Sequence, residues 1–411
     1  MSVRTPLTII AVLLVAIVAV SALAGGGGGK SASASPVASV AAEVRRIAAR
    51  DQVIRGLRFH SVPVPRLVSP AQAQRDGLAD FARSESAATQ ARNTELLELL
   101  GLLPPRTSLR QIEGSVYGGQ VAGYYDSRTK RLAIVTGHGA EAAGGADAEI
   151  TLSHELNHAL EDQNFGIHES SGATDDTATA YTALIEGTAT EVMTRYAIRY
   201  IGAARSLSGA LGSLGADTGT AGLPPYILAS LLFPYESGQK FVEALLRIGG
   251  WRLVNLAERV RPPVSTEQII HPEKWLRVEL PLPVPMPAPG ALGAGWRRVA
   301  AGTLGELDTH ELLRVANGPL TAGNAAAGWG GGRYALWRHG PLPAPGCASP
   351  CRSRDALLLR WRWDTARDER QFVAAAGRYV ARVGAVLSVR GGETTIAFAP
   401  TAALARRLSA R

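Results

Sequence analysis

The chain opens with an unbroken apolar run, Leu7–Leu23 (LTIIAVLLVAIVAVSAL), and only later takes on the mixed patterns of a folded protein. Val37–Arg58 and Ser69–Leu100 carry apolar residues at helical spacing, the second ending in Leu96, Leu97, Leu99 and Leu100 before Gly101 and Pro104-Pro105. Gly114–Val135 alternates as a β-hairpin turning around Asp126–Lys130. From about Asp147 to Asn164, Ile150, Leu152, Leu156, Ala159 and Leu160 fall on one stripe and predict a buried helix. A second helix is predicted from about Asp176 to Tyr200, with Tyr181, Leu184, Ile185, Val192, Met193 and Tyr196 as its buried face.

Residues 201–222 are rich in Gly, Ser and Ala and predict a mobile loop. Helical spacing returns in Pro225–Leu232, Ser237–Ile248 and Trp251–Arg259. Proline at every second position of PLPVPMPAP predicts an extended connector. Beyond it come a helix (Leu304–Val315), two strands (Tyr334–Trp337 and Leu357–Trp363), a helix (Arg367–Ala381) and a hairpin (Val386–Phe398), the order of a small α+β domain.

Composition narrows the class. A length of 411 residues with 46% hydrophobic and 19% charged residues suggests two or three folded units and argues against disorder. Two cysteines exclude a disulfide-dense scaffold and any cluster held by four thiolates. The net charge is +8, but the basic residues are scattered arginines with only four lysines, so nothing points to nucleic acid.

The apolar run follows Arg4 and ends at Ala22-Leu23-Ala24, a small-x-small cleavage site, so residues 1–24 read as a secretory signal peptide. Its 17 residues also leave an uncleaved signal anchor open. In both cases the mature chain faces outward. Ala24–Ser31 (AGGGGGKS) nearly matches a phosphate-binding loop, but no βαβ unit surrounds it, and residues 25–36 read as a Gly/Ser linker. In an exported protein Cys347 and Cys351 favour a short disulfide over a C-x3-C metal site, which no further thiolate completes.

The chemistry sits in the first strong helix, as His154-Glu155-Leu156-Asn157-His158. A four-residue spacing puts both imidazoles on one helix face, within reach of a single metal, while Glu155 points towards an open coordination position. A carboxylate there can take a proton from a zinc-bound water, whose pKa the metal lowers to about 7. At this chain's own His and Glu frequencies an accidental match has odds of about one in a hundred.

A catalytic zinc needs a third protein ligand. The extended metzincin pattern fails, because Glu161 and Asn164 stand where Gly and His would be required. His168 follows in a turn without support from helical geometry. Glu186 in ALIEGTATEVM is the stronger third ligand: its helix neighbours Thr182, Ala183, Ala189 and Thr190 are small and let two helices approach. A buried carboxylate there also needs a partner, which the sequence around it does not supply.

HELNHALEDQ, ALIEGTA and PPVSTEQIIHPEKW resemble an uncharacterised group of exported bacterial and archaeal zinc metallopeptidases of the gluzincin type. GYYDSRTKRLAIV, FPYESGQKFVEALLRIGGW, AAGWGGGRYALW and RWDTARDERQF extend the similarity over most of residues 115–400. The resemblance implies an α+β fold: a zincin-like catalytic domain (106–280) after a helical N-terminal region (37–105), then a Pro-rich connector (281–299) and a small α+β domain (300–411). It also implies Zn2+ on His154, His158 and Glu186, with Glu155 as general base. Two departures stand out. Thr190 occupies the acid position of E-x-x-x-D, which leaves Asp162 and Glu191 to orient a ligand imidazole. Gly332 in GWGGGR stands where an acid is expected.

His271 and Tyr235 are the candidate donors to a developing oxyanion, although His271 can equally cap or pack its helix end. By analogy with zincin clefts, the VAGYYDS strand is the edge that holds an extended peptide. The resulting expectation is a secreted or membrane-anchored zinc peptidase acting on peptides or proteins. The competing expectation is a zincin-like envelope scaffold without turnover, which has no need of Glu155.

Overall fold

The computed structural model describes residues 36–84, 86–109, 111–112, 123–135, 146–167, 174–202, 222–341 and 349–410. The apolar run 7–23, the linker 25–35, His168, most of the 201–222 loop and the first part of the Gly114–Val135 hairpin lie outside them.

The chain begins with α1 (Pro36–Arg55), β1 (Pro65–Val68), α2 (Pro70–Ser84) and α3 (Ala87–Leu99). Ser86 caps α3 by accepting the Thr89 N–H, which breaks the expected 69–100 helix into two. The predicted hairpin is β2 (Gly123–Asp126) and β3 (Arg131–Val135). Next come α4 (Ala146–Phe165) and α5 (Asp175–Tyr196). Thr174 caps α5, and Asp175 and Asp176 meet the positive end of its dipole. A π-helical turn, Ala197–Ile201, closes α5.

The three expected helices after residue 225 form one element, α6 (Pro225–Arg259). Pro234 lies inside it, because its ring costs one hydrogen bond while Phe233, Phe241, Val242 and Leu245 continue one buried face across the break. The helical path is interrupted only at Gly250, whose φ of +62° favours glycine. The remaining elements are α7 (Thr266–Ile270), α8 (Pro272–Leu276), β4 (Trp296–Thr303), α9 (Glu306–Arg314), α10 (Pro319–Ala326), β5 (Trp329–His339), β6 (Asp355–Trp363), α11 (Ala366–Val383), β7 (Val386–Arg390), β8 (Glu393–Phe398) and α12 (Ala402–Ser409).

Two sheets organise these elements. The smaller has the order β1-β3-β2, with β1 parallel and β2 antiparallel to β3, so β2 is an edge. The larger is antiparallel throughout, in the order β4-β5-β6-β8-β7. One of its faces packs against α9, α10 and α11, and the other against α12. The Pro-rich connector lies along this sheet instead of hanging free: Leu282 N–H donates to Gly330 O at 2.6 Å, and Trp337 Nε1 donates to Pro289 O at 2.8 Å. Gly330 and Gly331 of GWGGGR make room for that crossing. A Cβ at Gly331 would lie 2.4 Å from Leu282 O, and one at Gly332 would lie 2.5 Å from Leu304 O. No acidic side chain fits at Gly332.

The helices of residues 37–105 belong to two different cores. Val44, Ile47 and Ala48 of α1 pack with Leu152, Leu156 and Ala159 of α4 and with β2 and β3. Leu96, Leu97, Leu99 and Leu100 instead join Leu312, Tyr334, Trp361 and Phe372 around the large sheet, and Tyr379 Oη donates to Leu100 O at 2.9 Å. Cys351 is disulfide-bonded; the chain's other cysteine, Cys347, lies outside the described residues.

Candidate metal centre

The site is built where α4 and α5 lie side by side. The apolar stripe of α4 turns Leu152, Leu156 and Ala159 into the core, which leaves the opposite side of the same turns to His154, Glu155 and His158. On α5 the residue after Glu186 is Gly187, and there α5 crosses α6 at backbone contact. A Cβ on Gly187 would sit 2.2 Å from the Gly238 carbonyl carbon, and one on Gly238 would sit 1.9 Å from Ala183 O. Gly187 and Ala183, next to Glu186 on α5, therefore serve the α5–α6 crossing.

His154, His158 and Glu186 converge on one point. His158 Nε2 lies 3.0 Å from His154 Nε2, and Glu186 Oε2 lies 3.1 Å from the first histidine's Nε2 and 3.6 Å from the second's. All three side chains are buried. Tetrahedral ligands about 2.0–2.1 Å from a zinc ion stand roughly 3.3 Å from one another, close to these three separations. A single proton can serve only one of the three contacts, whereas a cation can serve all of them. The donor set of two imidazoles and one carboxylate suits zinc. Glu186 Oε1 is buried with no protein partner among the described residues, which also fits a carboxylate turned to an ion.

The charges are arranged to match. Burial on its own would push the His158 imidazole down, but the adjoining Glu186 carboxylate outweighs it and holds the pKa at about 9. Burial likewise opposes ionisation of Glu186, and the two histidines override it, drawing the carboxyl down to about 2. Metal uptake has to displace that imidazole proton.

Glu155 stands beside the cluster. Its Oε2 accepts the backbone N–H of Tyr125 at 2.8 Å, from the edge strand β2, while its Oε1 is buried with no protein partner among the described residues. Burial raises its pKa above the ordinary glutamate value, even against the pull of the histidines. Nothing in the sequence marks this contact, because a backbone N–H carries no residue identity.

The expected supporting residues divide. Tyr235 on α6 stays close, its ring centroid 6.2 Å from that of His154. Asp162 does not orient an imidazole: its carboxylate accepts Tyr125 Oη at 2.7 Å, Lys130 Nζ at 2.7 Å and Ile167 N–H at 3.0 Å. Glu191 does not either, since Arg195 at 2.7 Å and Gln239 at 3.1 Å take its oxygens. Both residues project from their helices towards charged neighbours instead, and the two histidine Nδ1 atoms have no protein partner among the described residues. His271, between α7 and α8, pairs with Glu306 at 3.0 Å and lines a separate cavity with α9.

A buried ion network supports the back of α4, and nothing in the sequence pattern predicts it. Arg55 of α1 donates to Glu161 at 3.0 Å, to Asn255 at 2.6 Å and to Glu258 at 2.6 Å, while its guanidinium lies 4.4 Å from the Trp251 ring centroid. Glu258 also accepts Thr188 Oγ1 at 2.9 Å, so four helices meet at one arginine. A second acidic group, Glu267, Glu279 and Asp364, surrounds Lys274 Nζ, so the chain's own cation occupies its centre.

Comparison with known families adds one match. Residues 294–409, from just before β4 to α12, match a family described as Domain of unknown function (DUF8575). The match covers the five-stranded sheet and its helices and leaves out His154, Glu155, His158 and Glu186. No curated protein matches the chain, and no solved structure matches it.

Proposed function

We propose that the chain is a zinc-dependent metallopeptidase that hydrolyses peptide bonds in peptide or protein substrates. The observation that carries this reading is the meeting of the two Nε2 atoms and the Glu186 carboxylate within 3.0 to 3.6 Å of one another, beside a second glutamate that is not among the three. The zincin-like character of the helical half and its gluzincin-type ligand set belong to the same proposal.

His154, His158 and Glu186 would hold the zinc, which when bound supplies a Lewis acid and a water of lowered pKa. Glu155 does the proton work. Tyr125 N–H fixes one of its oxygens and leaves the other to receive the water's proton. Burial makes the carboxylate a stronger base than an exposed glutamate, and the same group returns the proton to the leaving amine. Tyr235 is the donor available to the developing oxyanion.

Export completes the proposal: residues 1–24 carry it as a signal peptide or anchor, and the protein works outside the cytoplasmic membrane. Among the described residues no helix is long and apolar enough to cross a membrane. The deciding experiment is cleavage of a mixed peptide library by zinc-loaded wild type and by Glu155→Gln. The proposal expects cleavage by wild type alone; equal cleavage by both, or by neither, counts against it.

A further inference from the structure

Glu155 and Asp162 stand seven residues apart on α4, two turns along one side of the helix. A single residue of β2 reaches both. Tyr125 N–H donates to Glu155 Oε2 at 2.8 Å, and Tyr125 Oη donates to Asp162 Oδ2 at 2.7 Å. Between these two ends the Tyr125 ring packs into the core with Leu152, Leu156 and Ala159 of α4. Burial and the Asp162 carboxylate raise the phenol's pKa above its ordinary value, so it stays a donor.

Asp162 is itself held by two further donors. Lys130 Nζ lies 2.7 Å from each of its oxygens, and Ile167 N–H donates to Oδ1 at 3.0 Å. Lys130 reaches it from the β2–β3 turn, which Asp126 closes by accepting the Arg128 and Thr129 N–H groups at 2.9 and 3.2 Å. The Glu155 end lacks such support. β2 is four residues long and, among the described residues, pairs with β3 alone. A short edge strand opens easily unless something ties it down. The Tyr125 phenol is that tie.

We propose that Tyr125 and Asp162 are positioning residues for Glu155: Asp162 anchors the Tyr125 phenol, and the anchored residue sets the N–H that orients the carboxylate. The proposal rests on the peptidase reading, in which Glu155 is the base. A base has to stand at a set distance from the proton it takes, and a misplacement of about 1 Å costs about 10²-fold in rate. Asp162 thereby acts on a carboxylate two turns away.

The test has two readouts on the full chain, for wild type and for Tyr125→Phe, which removes one hydroxyl and keeps the ring in the core. The first is residue-resolved amide hydrogen exchange without added zinc. The Tyr125 amide should exchange at least about tenfold faster in the variant, while the Leu156 and Leu160 amides inside α4 keep their wild-type rates. The second is kinetics of the zinc-loaded chain on the peptide that wild type cleaves fastest from a mixed library. kcat should fall about 10–100-fold with KM within about twofold, since a positioning role acts on the chemical step and not on binding. Asp162→Ala should lower kcat to a similar extent, and combining the two substitutions should cost no more than either alone.

Unchanged exchange or unchanged kcat in Tyr125→Phe would overturn the positioning role. Equal acceleration of all three amides would overturn it too, because it marks a purely structural tie. A wild type that cleaves no peptide would instead overturn the peptidase reading, and this inference with it. None of these outcomes uses Asp162→Ala, so misfolding of that variant leaves the test intact.

Discussion

Tyr125 N–H donates to Glu155 Oε2 at 2.8 Å, so the edge strand of the small sheet is hydrogen-bonded to the residue between the two histidines. Glu155→Gln keeps a side-chain oxygen for that N–H but cannot take a proton. Peptide hydrolysis, measured as kcat/KM, should fall by about 10²–10⁴-fold. Zinc stoichiometry, measured on the same preparation, should not change, because Glu155 is not one of the three converging ligands. A joint loss of metal and activity would show that Glu155 holds the site together and is not simply its base.

Gly187 and Gly238 fix how far Glu186 reaches. A methyl group at either would meet backbone atoms at 1.9 to 2.2 Å, which no rotamer change relieves. Gly187→Ala and Gly238→Ala should each cost about 1–3 kcal/mol or more in urea unfolding, as overpacking does. Since α5 has to move away from α6, each variant should also bind zinc more weakly.

The helices of the candidate metal centre are legible in the sequence because their apolar stripes are long and regular, and because a four-residue spacing has a single meaning on a helix. Glu186 is legible for a related reason, its small neighbours, of which Ala183 lies at the α5–α6 crossing. What escapes the sequence depends on partners far along the chain. β1 is four residues of VPVPRLV whose strand character comes from pairing with Leu132–Val135. β4 is held by β5, whose paired residues lie thirty or more positions further along the chain. α1 and α3 look alike as sequence, yet one packs on α4 and the other on the large sheet. Spacing alone points Asp162 and Glu191 to the histidines, because it cannot reveal Lys130, Tyr125, Arg195 and Gln239 beside them.

Arg55 is the sole cation between Glu161 and Glu258 in the described network, with its side chain fully buried. Removing it leaves two carboxylates facing each other in the interior. Arg55→Met should lower the unfolding free energy by about 3–5 kcal/mol, the usual cost of breaking a buried pair from one side. Because Glu161 lies on α4 one turn from His158, the variant that remains folded should also lose zinc affinity. Equilibrium denaturation and metal titration would check the two effects separately.

The packing between α5, α7 and α9 should depend on pH in a defined direction. Burial raises the Asp176 carboxyl to about 7, despite two hydrogen bonds from Thr266, and the Asp308 carboxyl to about 8. Both pKa values are raised on folding, so the folded state holds protons that the unfolded chain releases. The associated stability is full below about pH 4 and is lost as pH rises through about 7 for Asp176 and about 8 for Asp308. Each group contributes a slope of about 1.4 kcal/mol per pH unit within its window. Urea unfolding from pH 5 to 8 should show a shallower decline for Asp308→Asn than for wild type. Equal slopes would mean that Asp308 is ionised in the folded protein.

The proposed peptidase depends first on His154, His158 and Glu186 forming one metal site. Calorimetric titration of the metal-stripped full chain with Zn2+, for wild type and for His158→Ala, addresses this without any substrate. One tight site per wild-type chain is expected, with proton release on binding, and its loss in the variant. A wild-type chain that takes up no stoichiometric zinc, or a variant that binds it equally well, would contradict the proposed site.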